Sequence, residues 1–424
     1  MAAAGSGTPL LRILLVSGVY PPAGGGPSLQ TKHLAQGLMA RGIAVQVVTY
    51  GDPTASGSLD GVSVRFLDGG RRDSLGGKLG RNLEVCGDLD RTIRQFRPSV
   101  IHMQTAAGNL ALITGVLARW HRLPTLIKYT ADLVQQNATL QDFSASNGWR
   151  NRLIQGANCW STEVFQRVLF ALYSCIWATT PRFQQRLGQH YGVAASKIVL
   201  LPNFIDLQPF RAIARHRPIS QPSAPLELLT VARLFPVKGL DLYLRALARL
   251  PDLPLRARIV GSGSETYRQQ LLALVHELDL GDRVELSGAI DPEAIASAYA
   301  TADLFVLPSR HEPFGIVLIE AMAAGLPIVA TEVDGIPQVV EAGVSAVLVP
   351  PENVERLAIA LRTLATDSQR RLALAHAGQH RAQSFGLEAG IQGCLAIYAK
   401  LSPHPWECLA LGSEARPQEH HRLG

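Results

Sequence analysis

Residues 308–327 read PSRHEPFGIVLIEAMAAGLP and lie between two short apolar runs, 304–307 and 328–330. Those runs are too short for helices and carry no polar alternation, so each reads as a strand buried on both faces. Between them Pro313 and Gly315 break the backbone, a helix begins at Ile316, and Gly325 ends it. Strand, helix, strand is a crossover unit, and a crossover of this kind makes its two strands parallel. This one segment therefore predicts an α/β fold.

The same alternation extends in both directions. Strands are expected at 227–231, 257–260, 283–287 and 346–349, with helices at 240–250, 266–278, 293–300 and 353–365. Upstream, residues 211–225 are polar, carry Pro218, Pro222 and Pro225 and show no apolar period, which reads as a linker. Before it the alternation appears again. Strands are expected at 11–16, 43–49, 100–103, 125–129 and 197–201, and helices from Leu29 to Met39, at 110–119 and at 149–170. The expected architecture is two doubly wound, Rossmann-like domains facing across a cleft, with ligands at the carboxyl ends of both sheets. The boundaries read as an N-terminal domain at 1–210, the linker at 211–225, a C-terminal domain at 226–386, a helix at 387–401 and a polar tail at 402–424.

Composition agrees. At 424 residues, with 47% hydrophobic and 17% charged side chains, the chain is too long for one core and too apolar to be disordered. The net charge of +6 comes from scattered, mostly Arg positions, not from the clustered stripe of a nucleic-acid binder. That balance suits phosphorylated substrates or an anionic membrane surface. Five cysteines (Cys86, Cys159, Cys175, Cys394, Cys408) stand far apart without a C-x-x-C pair, as reduced thiols in a cytoplasmic protein would. The first ten residues lack the pattern of a signal peptide, and the most lipid-like stretch, 164–178, is interrupted by Gln166, Arg167 and Ser174.

Several residues carry chemistry. The backbone N–H groups of Gly315, Ile316 and Val317 open a helix, which makes them a ready anion site. Glu312 precedes that helix and Glu320 lies within it. Carboxylates do not bind phosphate, but they accept hydrogen bonds from sugar hydroxyls. Taken singly, each reads more readily as a solvated acid. His311-Glu312 begins like a zinc-protease motif, but the second histidine position is Gly315, so that reading fails. Arg233 ends a strand and Lys238 precedes a helix, so both can face the cleft and neutralise a diphosphate without a metal. Gly24-Gly25-Gly26 and Gly261-Ser262-Gly263 follow strands and allow close backbone approach. The dinucleotide fingerprint needs a third glycine where Thr266 stands, which argues against a nicotinamide dehydrogenase.

Together these residues resemble the retaining glycosyltransferases of family 4, which have the GT-B fold. The resemblance covers about residues 10–400. It rests on Gly24-Gly25-Gly26, Leu201-Pro202-Asn203-Phe204-Ile205-Asp206, Arg233 with Lys238-Gly239, Ile259-Val260-Gly261-Ser262-Gly263, and the E-x7-E element from Glu312 to Glu320. It implies that Arg233 and Lys238 bind the donor diphosphate and stabilise it as it leaves, with Glu312 holding donor-sugar hydroxyls and Glu320 the ribose. Gly25, Gly26, Gly263, Phe314, Gly315, Ile316 and Val317 would line the donor site, with Ala289 and Ile290 near the base. It further implies transfer of a hexose from a nucleotide-diphosphate sugar to a sugar or lipid-linked acceptor, with no cofactor and no metal ion, and a final helix that crosses back to the first domain.

Some positions depart from the family pattern. A His is frequent in the first-domain segment that here reads Lys128-Tyr129-Thr130-Ala131-Asp132, so Lys128 and Asp132 become the acceptor-side candidates. Phe204 and Ala232 stand where glycine is usual. Arg71, Arg72, Lys78 and Arg81, read as a glycine-containing loop, and Arg150 and Arg152 beside Trp149, read first as a solvated surface, with weak peripheral membrane contact as the alternative. Two alternatives share the fold: a nucleotide-sugar epimerase, and a donor-binding scaffold without catalysis.

Overall fold

The computed structural model describes residues 11–21, 26–70, 75–130, 149–216, 225–291 and 294–402. Gly25, Asp132, Arg71, Arg72 and all but the first residue of the expected tail lie outside them.

The first domain is built on eight strands: β1 (Arg12–Val16), β2 (Ala44–Gly51), β3 (Gly57–Leu59), β4 (Val62–Asp68), β5 (Val100–Met103), β6 (Thr125–Tyr129), β7 (Cys175–Ala178) and β8 (Ile198–Leu200). They lie in the order β3-β4-β2-β1-β5-β6-β7-β8, and only the β3–β4 edge pairing is antiparallel. The second domain has β9 (Leu226–Val231), β10 (Leu255–Val260), β11 (Val284–Gly288), β12 (Leu304–Leu307), β13 (Ile328–Thr331) and β14 (Val347–Val349), ordered β11-β10-β9-β12-β13-β14 and all parallel.

Each sheet is packed on both faces. In β1, Ile13 and Leu15 enter one core while Leu14 and Val16 enter the other. In β12, Leu304 and Val306 face one way, Phe305 and Leu307 the other. Alternate side chains project to opposite faces, so a strand covered on both sides must be apolar throughout. That is why the short uninterrupted runs were readable as strands.

Two expectations need correction. The basic positions Lys78 and Arg81 do not lie in a loop: residues Leu75–Phe96 form a helix despite Gly76, Gly77, Gly80 and Gly87. Val85, Leu89 and Ile93 recur every fourth residue and are buried in the first-domain core, so tertiary packing outweighs the poor helix propensity of glycine. The segment read as linker from Arg211 is still helical to His216, in the helix Gln208–His216, and Phe210 at its start is buried in the second-domain core. The apolar stretch 164–178, read as interrupted, is two elements, the end of the helix Trp149–Leu172 and the strand β7.

The helix Leu387–Leu401 follows the second domain in sequence but packs in the first. Its Ile391, Cys394, Leu395 and Tyr398 are buried with Ile13, Leu15 and Trp177. Contact is close enough that a Cβ at Gly390 would stand 1.9 Å from the Phe204 ring. Among the described residues, no helix is long and apolar enough to cross a membrane.

Candidate active site

Five strands deliver their carboxyl ends to one place. Gln104 follows β5, Lys128 lies near the end of β6, Asn203 follows β8, and Ala232-Arg233 follows β9, while β12 leads into the loop carrying Glu312. A cavity of about 530 Å³ lies between them, with Gly26 and Gln30 at the start of the helix Gly26–Met39 on its first-domain side. This is the crevice that open α/β sheets use for ligands.

The second-domain wall is formed by two loops knitted into each other. The backbone N–H of Arg310 donates to the carbonyl of Val237 at 2.9 Å, and that of His311 donates to the same carbonyl at 3.2 Å. The Arg310 guanidinium makes two bonds to the Asp241 carboxylate at 2.6 and 2.7 Å and a third to Glu352 at 2.6 Å. Gly239 takes a left-handed conformation at φ +64°, and a Cβ there would be 2.0 Å from the Pro308 carbonyl oxygen. Only glycine combines that φ with so close an approach. The result brings Lys238 and Glu312 together: Nζ lies 2.6 Å from Oε2, with both side chains largely buried. Arg233 is exposed at the mouth, its guanidinium 5.5 Å from the Phe235 ring centroid.

The Glu312 loop is fixed from behind by Asp334. Its carboxylate accepts the backbone N–H of Glu312 at 2.9 Å, pairs with the His311 ring, and pairs with Arg182 from the first domain. A contact between the domains therefore reaches the loop that carries a candidate site residue. Glu320, one face of which lines the cavity, accepts a hydrogen bond from the Tyr299 hydroxyl at 2.5 Å. Burial pushes its carboxyl up to about 7, against the opposing effect of that hydrogen bond.

Most residues singled out from sequence meet here. Gly26, Lys128, Arg233, Lys238, Ile290, Glu312, Phe314, Gly315, Ile316, Val317 and Glu320 all line the cavity. Two do not. Ala289 is exposed outside it, and Gly263 instead packs beneath the Arg233 loop, bridging to Leu234. Gly263 supports the wall from behind, because a Cβ there would meet the Leu234 backbone at 2.5 Å.

Sequence reasoning missed Gln30 and Gln104 as cavity residues. Gln30 shares its helix face with the buried Leu34 and Leu38, four and eight residues on, so a polar side chain in an apolar stripe was the available signal. Gln104 follows four buried strand residues and has no such pattern.

Residues 25–203 match the family described as glycosyl transferase 4-like domain, and residues 214–381 the family described as glycosyl transferases group 1. Over 422 residues the chain is 30% identical to a D-inositol 3-phosphate glycosyltransferase of Kineococcus radiotolerans, covering 89% of this chain and 90% of that one. The corresponding protein of Geodermatophilus obscurus is 30% identical over 401 residues, covering 89% and 86%. Among solved structures, sucrose-phosphate synthase from Thermosynechococcus elongatus superposes with a TM-score of 0.76 at 23% identity, covering 92% of this chain and 99% of that one. Anabaena HepE in complex with UDP and glucose gives 0.71 at 21%, covering 92% and 100%. These superpositions establish the GT-B fold, and the two sequence relatives are named as glycosyltransferases. Two family matches in chain order, and a relative aligned along nearly the whole length, show that the chain belongs to the family 4 type of GT-B glycosyltransferases and is a glycosyl-transferring enzyme.

Proposed function

We propose that this enzyme moves a hexose from a nucleotide-diphosphate sugar to a hydroxyl of a sugar or lipid-linked sugar acceptor, with retention of anomeric configuration and without a metal ion. The observation that carries the reading is the cavity wall on which Arg233 and Lys238 stand beside Glu312 and the start of the helix Ile316–Ala323, with Glu320 further along that helix. Cations and helix N–H groups suit a diphosphate, and the two carboxylates suit hydroxyls of the sugar and the ribose. A nucleotide donor is also what solved neighbours carry, since HepE was solved with UDP-glucose.

In this reading the acceptor oxygen attacks the anomeric carbon on the face from which the diphosphate departs. The bond from carbon to phosphate oxygen breaks, the new glycosidic bond forms, and the acceptor proton passes to the leaving phosphate. Arg233 and Lys238 take up the charge that grows on it. Glu312, already paired with Lys238, is better placed to hold a hydroxyl than to form a covalent intermediate. Catalysis then consists of positioning and charge stabilisation.

Thermal unfolding with UDP, GDP and ADP, each with and without EDTA, tests the donor half. A nucleotide at a hundredfold its dissociation constant adds about 2.7 kcal/mol of stability. One nucleotide is expected to stabilise the chain equally in EDTA, which would also identify the base. A shift abolished by EDTA would refute the metal-free site, and none at all would remove the donor site.

The same proposal places the enzyme in the cytoplasm, in weak contact with the cytoplasmic face of a membrane. Trp160, Val164 and Val168 recur every fourth residue on the outer face of one helix, and Val116 and Trp120 do so on its neighbour. Trp120 is 78% and Trp160 70% exposed, and Arg119 and Arg122 flank Trp120 with positive charge. Aromatic rings beside arginines suit an anionic lipid interface. Sedimentation with anionic vesicles at low salt is expected to carry the protein down, less so for Trp120→Ser with Trp160→Ser. Absence of binding by the wild type would end this part.

A further inference from the structure

The donor reading leaves three buried polar side chains on the first-domain wall without a task. Lys128 is 1% exposed, yet it lines the cavity. Its amine donates to Gln30 Oε1 and lies 4.3 Å from the centroid of the Trp177 ring. Gln30 is held in that orientation because its own amide donates to the Phe204 carbonyl at 3.0 Å. Gln104 is 7% and Asn203 6% exposed, and both line the same cavity. Gln104 Nε2 and Asn203 Oδ1 have no hydrogen-bond partner among the described residues. Buried polar atoms are almost always paired, so unpaired amide atoms on side chains that line a cavity mark where a ligand completes the pairing once the amide turns toward it.

The surroundings of Lys128 are neutral near pH 7. His102 behind it is pushed down to about 3 by burial and by the Lys128 charge, and Cys394 is pushed up to about 12 by burial. The Tyr398 hydroxyl, which pairs with His102 Nδ1 at 2.7 Å, is also driven upward by burial. On the other elements Lys128 meets an amide oxygen and a ring face. Across the cavity stand Arg233, Lys238, Glu312 and Glu320. Burial accordingly pulls the Lys128 amine down to about 7, with Cys394 opposing. An amine held this way gains most from an anion that enters beside it.

We propose that Lys128, with Gln104 and Asn203, is a first-domain subsite for a phosphate oxyanion on a hydroxylated ligand, and that the arriving anion charges Lys128 with a proton drawn from solvent. The proposal rests on this cavity being the reaction site. Lys128 and the Gln104 amide donate to the oxyanion, and the Asn203 oxygen accepts from a neighbouring hydroxyl. The sign follows from linkage. Ligand favours the charged amine, so affinity falls by about tenfold per pH unit as pH rises above the value for the free enzyme, until the complex itself begins to lose the proton.

Two sources offer this chemistry, the donor diphosphate and a phosphate on the acceptor. Calorimetric titration at pH 8, in two buffers of different ionisation enthalpy, counts protons taken up. At that pH the ligand phosphates are already ionised and stay so beside cations, and Lys128→Met separates the Lys128 proton from any that the Glu320 carboxylate takes up. Binding of UDP, GDP or ADP is expected to take up roughly one proton more in the wild type than in Lys128→Met. Lys128→Arg keeps a permanent charge, and is expected to bind without that extra uptake. If uptake appears only when glucose 6-phosphate or inositol 3-phosphate is added to the nucleotide-saturated enzyme, the acceptor phosphate is the anion. Binding without uptake in the wild type, or uptake that survives undiminished in Lys128→Met, overturns the proposal. The nucleotide shift in thermal unfolding would then still stand and with it the functional reading. No binding by any of these probes would overturn both.

Discussion

Arg233→Ala is expected to lower kcat/KM by ~10²–10³, the usual loss when one charge-stabilising donor is removed from a site of this kind. The two cations of the cavity are not equivalent. Lys238 is 2.6 Å from the Glu312 carboxylate and shares its charge with it. Arg233 has a ring face for company and, among the described residues, no ion pair. Its guanidinium is thus the cation most available to a diphosphate, and it alone offers two parallel N–H groups to the oxygens. Arg233→Lys restores charge but not the fork, so it should recover only part of the loss. Steady-state kinetics with the donor that turns over will decide. If charge grows on the phosphate as it leaves, kcat must fall along with kcat/KM. A change confined to KM would mean that Arg233 only holds the ground state, and the leaving-group role would be wrong.

Gly390→Val is expected to destabilise the protein by at least ~3 kcal/mol, the upper end of what overpacking a core costs. A Cβ at this position stands 1.9, 2.0 and 2.5 Å from three atoms of the Phe204 ring. The ring cannot move aside, because Phe204 is buried and stacks on Trp177 with centroids 6.0 Å apart. The returning helix must therefore lift from the first domain. Gly87→Ala serves as the control: it lies in the helix Leu75–Phe96 with nothing within 4 Å of a new Cβ, and is expected to be stabilising by about 0.4–1 kcal/mol. Thermal unfolding of both variants beside the wild type measures this. A Gly390→Val midpoint within a degree or so of wild type would mean that the helix is not clamped there.

The two variants also separate what was legible in the sequence from what was not. Arg233, Lys238 and Glu312 were readable because each sits by a strand end or a helix start with Pro or Gly nearby, and Glu320 because it follows Glu312 at a fixed spacing inside the helix; such signals are local. Ile290 joined them in the cavity, whereas its neighbour Ala289 did not: both follow β11 beyond Gly288, whose left-handed φ of +75° ends the strand's alternation, so the sequence pattern could not say which would enter. The helix at Leu75–Phe96 was misread because its glycines argue locally for a loop. Its buried stripe matters only once a sheet is there to receive it.

By itself, the sequence determined the two crossover-built sheets and the sign of the charges at their carboxyl ends, since strand period, helix caps and residue type are properties of short segments. Only the tertiary structure decided which of those groups meet. Lys238 and Glu312 are 74 residues apart and pair because Gly239 lets one loop close on the other. Lys128 lies beside Cys394, whose helix arrives from beyond the second domain. Lysine is charged in any short peptide at neutral pH. What draws this one down to about 7 is the burial that the whole chain builds around it.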